Sequence, residues 1–265
     1  MDINPSIRPF AALTERSRQA QERWAAIPVR ERVQVVWRLR AALLDAIPSL
    51  CAAVEKDLGR PPEQTLPAEI FSIAAGCRFL EKRAHRVLAP RRVEGPPVWL
   101  FGQKDWVHRR PRGVVGIIGT WNYPLYLNGV QIMQALVAGN SVLWKPSEVA
   151  PHAADALEAW LAKAQLPEGL FVRLPATREA GVQLADADIA HVVFTGHAST
   201  GRKLSANVSS VRRWNCPAAT LSSSSMMLIW NWPPRPPGSA APSIAVKPAS
   251  LSAGPSCHGS IMPSS

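Results

Sequence analysis

Gly113-Val-Val-Gly-Ile-Ile-Gly-Thr-Trp-Asn-Tyr-Pro124 is an apolar, β-branched run that ends on a polar Asn set between two aromatics and a proline. Such a run reads as a fully buried strand of a parallel sheet covered on both faces. The C-terminal end of a strand of this kind is where open α/β sheets place their ligands. Gly113, Gly116 and Gly119 also fit part of a dinucleotide fingerprint. The last glycine, however, precedes a turn instead of sitting inside a helix, which makes that the weaker reading.

Outward from this stretch the pattern alternates. Leu125 to Gly139 reads as helix, Ser141 to Lys145 as strand and Pro151 to Ala164 as helix. Leu170 to Leu174 then reads as strand, Glu179 to Ala187 as a short helix and Ile189 to Phe194 as strand. Short apolar strands alternating with helices of this length are the mark of right-handed βαβ units, so residues 113–207 are expected to hold four parallel strands of a Rossmann-like segment in an α/β fold.

On the N-terminal side, apolar residues from Val33 to Val54 recur at helical spacing, with Pro48 as the expected dividing point, and a second helical pattern runs from Pro67 to Leu88. Residues 1–88 are therefore read as N-terminal helices. Pro90, Pro96 and Pro97 break helix. Val98-Trp-Leu-Phe-Gly102 and Trp106-Val-His-Arg-Arg110 then suggest two exposed strands, so residues 89–112 are read as a hairpin arm. Its Arg109, Arg110 and Arg112 suit a solvated or subunit-facing edge better than a phosphate site.

With 265 residues, 47% of them hydrophobic, the chain can bury a sizeable core in one or two domains. Its N-terminus lacks a basic region followed by an apolar core, and its longest apolar stretches fall short of a membrane span, so a cytoplasmic protein without membrane contact is expected. Cys51, Cys77, Cys216 and Cys257 form no CxxC pair and no metal-ligand spacing, which predicts reduced thiols, no disulfide framework and no metal site. Cys51 and Cys77 lie in helical patterns as small core residues. The formal charge of +11 would suit nucleic acid, but no reading motif or aromatic-interleaved patch accompanies it, so a nucleic-acid partner is not expected.

Five motifs stand in order: Gly119-Thr-Trp-Asn-Tyr-Pro124, Ala138-Gly-Asn140, Lys145-Pro-Ser-Glu148, Leu166-Pro-Glu-Gly169 and Phe194-Thr-Gly-His-Ala-Ser-Thr-Gly201. Over roughly residues 20–207 the chain resembles the N-terminal part of the aldehyde dehydrogenases, in particular the class-3-like branch with Gly-Thr-Trp-Asn-Tyr-Pro. The resemblance implies an enzyme that oxidises an aldehyde to a carboxylic acid with NAD or NADP through a cysteine thioester. It also implies an assembly of identical subunits in the intact protein, with the 89–112 arm in subunit contacts.

By the same resemblance Asn122, flanked by Trp121 and Tyr123, is the donor to the oxyanion of the tetrahedral adduct. On its own it could equally cap the turn into the next helix. Thr120, Trp121, Lys145, Ser147, Glu148, Gly181, Gly196, His197 and Gly201 fall at cofactor-binding positions. Lys145 and Glu148 would hydrogen-bond the vicinal hydroxyls of the adenine ribose. Backbone amides near residues 198–200 would cradle the pyrophosphate, with His197 where the family usually has Ser. Taken alone, Lys145-Pro-Ser-Glu148 would be a turn leading into a helix. Glu148 would repel a 2′-phosphate and leans slightly towards NAD.

Beyond Asn207 no Asp or Glu appears again, and Ser and Pro crowd in with Trp214, Trp230 and Trp232. Low-complexity disorder is one reading of residues 208–265. The genetic code supplies a sharper one. Trp is always TGG and Asn is AAY, so Trp214-Asn215-Cys216-Pro217, read one nucleotide earlier, gives Leu, Met or Val, then Glu, then Leu, then Ser or Pro. Leu-Glu-Leu-Ser is the family's general-base motif. Across Ser243 to Ser250 the same shift permits Asn-Arg-Gly-Gln-Thr-Cys-Ile, the nucleophile motif, with its cysteine codon straddling Pro248 and Ala249. A frameshift near Val208 is therefore expected, leaving this chain without the nucleophile Cys and the general-base Glu. The expected fold is then the cofactor-domain sheet, incomplete, marginally stable and prone to aggregate, with a disordered tail. The literal chain reads as a non-catalytic nucleotide-binding fragment.

Overall fold

The computed structural model describes residues 7–92, 104–196 and 201. At its centre, four parallel strands, β3 (Val114–Ile118), β4 (Ser141–Lys145), β5 (Phe171–Arg173) and β6 (His191–Phe194), lie in the order β5-β4-β3-β6. β3 occupies an interior position, with Val115 facing Val142 of β4 on one side and His191 of β6 on the other. Every residue of β3, β4 and β6 is buried, as the unbroken apolar runs require. Among the described residues β6 pairs only with β3.

Alternation of side chains splits the core in two. Val115, Ile117, Val142, Trp144 and Val193 pack against the helices α2 (Val29–Ala41), α3 (Leu43–Leu58), α5 (Phe71–Leu88), α6 (Tyr126–Val137) and α7 (Pro151–Ala162). Val114, Ile118, Leu143, Val192 and Phe194 face the other way, towards Leu184 of α8 (Arg178–Asp186) and Phe10 and Leu13 of α1 (Ile7–Ala25). Gly116 and Gly119 serve this packing. A Cβ on Gly116 would come within 2.6 Å of Ile189 and 2.9 Å of Leu184, and one on Gly119 within 2.9 Å of Asn128 Oδ1.

The Ala138-Gly-Asn140 turn has a structural job. Asn140 Oδ1 accepts the backbone N–H groups of Arg112 and Gly113 at 2.7 and 3.1 Å, and its Nδ2 donates to Ala135 O at 3.1 Å, so one amide joins the end of α6 to the start of β3.

Three N-terminal features go beyond the helical periodicity read above. α1 carries a polar buried seam, with Thr14, Ser17 and Gln21 buried beside Ala20 and Trp24, so an apolar-period reading passes over it. It is anchored by Gln21 Nε2 donating to Gly139 O at 2.8 Å and Trp24 Nε1 donating to Leu136 O at 2.7 Å. The long helical stretch divides at Ala42, not at Pro48, which lies inside α3. Burial of Leu43, Leu50, Cys51 and Val54 along one face holds α3 together across the hydrogen bond that Pro48 lacks. The helix expected from Pro67 opens instead with a single short α-turn, α4 (Pro62–Thr65), and a π-helical turn, Leu66–Ile70, before α5.

In the arm, β1 (Arg91–Arg92) pairs antiparallel with β2 (Trp106–Val107). The strand expected at residues 98–102 lies outside the described residues, as do His197 and the 208–265 tail. No described helix is long and apolar enough to cross a membrane.

Candidate functional site

β3 and β4 end side by side, and the two turns that leave them carry the polar residues singled out above. The Gly119 N–H donates to Lys145 O at 2.8 Å, extending the ladder by one rung and bringing the backbones of the two turns together.

The turn after β3 is closely specified. Asn128, in the first turn of α6, accepts the Thr120 N–H at 3.2 Å and donates to the carbonyls of Thr120 at 3.2 Å and Pro124 at 2.7 Å. Asn122 is exposed, yet its side-chain oxygen is held from two sides: the Thr120 hydroxyl donates to Oδ1 at 2.7 Å and the Tyr123 N–H at 3.0 Å. With the acceptor oxygen so occupied, the Nδ2 amide is left to donate to a ligand, which is the orientation an oxyanion donor needs. The flanking aromatics are not what achieves this. Trp121 is 53% exposed, and the Tyr123 ring lies under the Arg60 guanidinium, 4.9 Å from its centroid. Hydrogen bonds, not ring packing, orient the amide.

The turn after β4 carries a different chemistry. Lys145 is almost fully buried along its stem and its Nζ meets Glu148 Oε2 at 2.6 Å. The Lys145 hydrogen bond holds the Glu148 carboxyl below the usual carboxylate range, against a smaller opposing effect of burial. Arg178 Nε stands 3.7 Å from the other Glu148 oxygen. Ser147 Oγ accepts the Val149 N–H at 3.2 Å and so shapes the turn into α7. Gly181 lies in the first turn of α8 beside Lys145, whose Cδ and Cε would be 3.9 Å from a Cβ placed there. α8 opens with Thr177 Oγ1 accepting the Ala180 N–H at 3.2 Å.

At the end of β6, Gly196 is exposed and Gly201 is buried and helical. Gln131 Nε2 donates to Thr195 Oγ1 at 3.2 Å, linking this strand end to α6. Thr120, Trp121, Asn122, Lys145, Ser147 and Glu148 thus share one end of the sheet, with Gly181 against Lys145.

Both described cysteines are unsuited to nucleophilic chemistry. Cys51 and Cys77 are buried, and loss of solvent, reinforced by Glu81, pushes the Cys77 thiol up to about 12. Among the described residues no grouping of His, Cys, Asp and Glu could hold a metal ion.

Two residues at the site carry no signal in the sequence. Glu69, fully buried, accepts the backbone N–H groups of Leu125 and Tyr126 at 2.7 and 3.0 Å, and Arg60 Nη1 donates to its other oxygen at 2.7 Å. Arg60 also donates through Nη2 to the carbonyl of Asn122. They stand about sixty positions before the turn they touch, where neither periodicity nor motif could have pointed to them.

The family model for the aldehyde dehydrogenase family matches residues 9–232. The 4,4'-diapolycopene aldehyde oxidase of Methylomonas sp is 35% identical over 187 residues, covering 71% of this chain and 35% of that protein. The betaine aldehyde dehydrogenase of Agrobacterium fabrum is 33% identical over 200 residues, covering 74% of this chain and 40% of that protein. A crystal structure of a candidate aldehyde dehydrogenase from Burkholderia cenocepacia superposes with a TM-score of 0.71 at 27% identity, over 79% of this chain and 42% of that one. The chain therefore spans well under half the length of these relatives. Because the family model covers residues 9–232 and the sheet matches these relatives, this chain belongs to the aldehyde dehydrogenase family.

Proposed function

We propose that residues 113–201 form the NAD(P)-binding half of an enzyme that oxidises an aldehyde to a carboxylic acid. The observation that carries this reading is the Asn122 amide, its oxygen held by Thr120 and Tyr123, one backbone rung from the Lys145–Glu148 pair. When bound, a nicotinamide nucleotide supplies the hydride acceptor.

The residues present suit such a nucleotide. Lys145 and Glu148 offer a donor and an acceptor to the ribose hydroxyls, and Gly181 keeps the first turn of α8 clear of a side chain beside Lys145. Thr120, Trp121, Gly196, His197 and Gly201 complete the set proposed to surround it. Asn122 Nδ2 donates to the carbonyl oxygen as negative charge builds there, a role in which one preorganised donor is worth about 2.7 to 4 kcal/mol of barrier. NAD is favoured by Glu148, but that carboxylate is neutralised by Lys145 and faces Arg178, so a 2′-phosphate is not strongly repelled.

For the chain as written we propose nucleotide binding without turnover, with residues 208–265 encoded out of frame and the cysteine and glutamate of the reaction missing with them. Calorimetric titration of the full chain with NAD and NADP should show saturable binding of at least one, and no binding of either would overturn the cofactor reading. An assay with NAD and a medium-chain aldehyde should give no turnover, and activity above background would refute the non-catalytic reading. Sequencing the locus on both strands settles the reading frame, and failure of the shifted frame to continue into the Asn-Arg-Gly-Gln-Thr-Cys-Ile motif would dismiss the frameshift.

A further inference from the structure

Glu69 is an ionisable group with no solvent exposure, and none of the motifs at the strand ends includes it. It lies on the π-helical turn Leu66–Ile70, and a π turn inserts one residue into the helical repeat and so re-aims the side chains around it. Here the re-aimed carboxylate reaches the N-terminus of α6. Burial pushes the Glu69 carboxyl up, while the N–H groups of Tyr126 and Leu125 and the Arg60 guanidinium favour its charged form.

The partner is equally well placed. Arg60 follows the left-handed Gly59 that ends α3, and its own carbonyl accepts the Thr65 hydroxyl at 3.4 Å. From there its fork divides: one arm to Glu69, the other to the Asn122 carbonyl, with the guanidinium plane over Tyr123. The pair therefore grips both sides of one short turn, at the carbonyl of Asn122 and at the amides of Leu125 and Tyr126.

A buried ion pair is a weak device for stability, because the desolvation of two charges offsets most of their attraction. Its geometry suits specification of the backbone far better. We propose that Arg60 and Glu69 are positioning residues for the Asn122 amide, setting the backbone of residues 122–126 so that Nδ2 is presented to the reacting carbonyl oxygen. This rests on the reading of Asn122 as the oxyanion donor.

Hydrogen exchange resolved at single amides, on the full chain and its variants, tests the clamp. In Arg60→Met, the amides of Tyr123, Leu125 and Tyr126 should exchange about tenfold faster, the loss expected for one charge-assisted hydrogen bond, while β4 stays protected. Arg60→Lys keeps a cation beside Glu69 but cannot span to the Asn122 carbonyl as the fork does. It should leave Leu125 and Tyr126 protected and speed Tyr123 alone. A merely structural pair would instead loosen turn and sheet together in both variants, and that outcome, or unchanged turn exchange, overturns the proposal. If Arg60→Met loses its sheet protection, the split within the turn in Arg60→Lys decides by the same criterion. Titration of the same samples with NAD and NADP separates the two ideas. Absence of nucleotide binding in the unsubstituted chain removes the functional reading and leaves the clamp as measured, whereas unaltered exchange removes the clamp while binding persists.

Discussion

The turns that leave β3 and β4 start from adjacent strands at the same sheet end, yet they are held in opposite ways. The turn after β3 is specified chiefly by groups distant in sequence, Lys145 O from the neighbouring strand and Arg60 and Glu69 from the N-terminal helices, with Asn128 from the helix that follows as a nearer support. The turn after β4 is largely self-contained. Lys145 pairs with Glu148 three residues on, and Ser147 caps Val149. The difference matches the proposed tasks. A donor to a developing oxyanion gains most when it needs no reorganisation at the moment of reaction, whereas a ribose contact at a half-exposed surface tolerates adjustment.

The comparison would break first at Glu69. Glu69→Ala removes one partner of a buried pair and leaves the Arg60 charge and two amides uncompensated, so it should cost about 3 to 5 kcal/mol in denaturant unfolding. A loss under about 1 kcal/mol would mean that the turn after β3 is no more remotely held than its neighbour. Next comes Gly119→Ala. Its Cβ would sit 3.0 Å from Trp144 Nε1 and 3.1 Å from Lys145 O as well as against Asn128, so melting measurements should register a loss of about 1 to 3 kcal/mol.

The turn after β4 should respond in binding and hardly in folding. Glu148→Ala is expected to leave unfolding within about 0.5 kcal/mol and to weaken NAD about tenfold by calorimetry, one hydrogen-bonded contact being lost. A large fall in stability there would erase the contrast. The smallest expected effect is on pH. Because Lys145 holds the Glu148 carboxyl below its unfolded value, the folded state releases this proton more readily than the unfolded state does. The stability it contributes is present above the ordinary glutamate range and is lost as pH falls through the depressed value. With Glu148 44% exposed, solvent screening keeps that contribution below about 1 kcal/mol. The stability difference between the chain and Glu148→Gln should therefore be slight, present at neutral pH and vanishing as the pH falls through that depressed value.

How much was legible follows the same division. The limits expected for β4 are those observed, and β3 lies within the run that opens at Gly113, because a strand buried on both faces leaves an unbroken apolar run. The Lys145–Glu148 pair was legible as a motif since both members lie within one turn. α1 gives no apolar period because its buried seam is Thr14, Ser17 and Gln21, of which Gln21 donates to Gly139 O of the α6–β4 connection and Thr14 to Phe10 O within the helix. The division of the long helical stretch was assigned to Pro48, the strongest local breaker, whereas packing of α3 overrode it and the break fell at Ala42.

What the amino-acid sequence determined by itself is the alternation of strand and helix, the parallel sheet and the ordered motifs at its strand ends, because each depends on periodicity or on residues within a few positions of one another. What only the tertiary structure decided is which distant groups converge on the turn from Asn122 to Tyr126. Arg60 and Glu69 reach it because α3 ends on a left-handed glycine and a π turn redirects the following helix towards α6. Their hydrogen bonds span more than fifty positions, and such partners are set by how elements pack, which spacing along the chain does not encode.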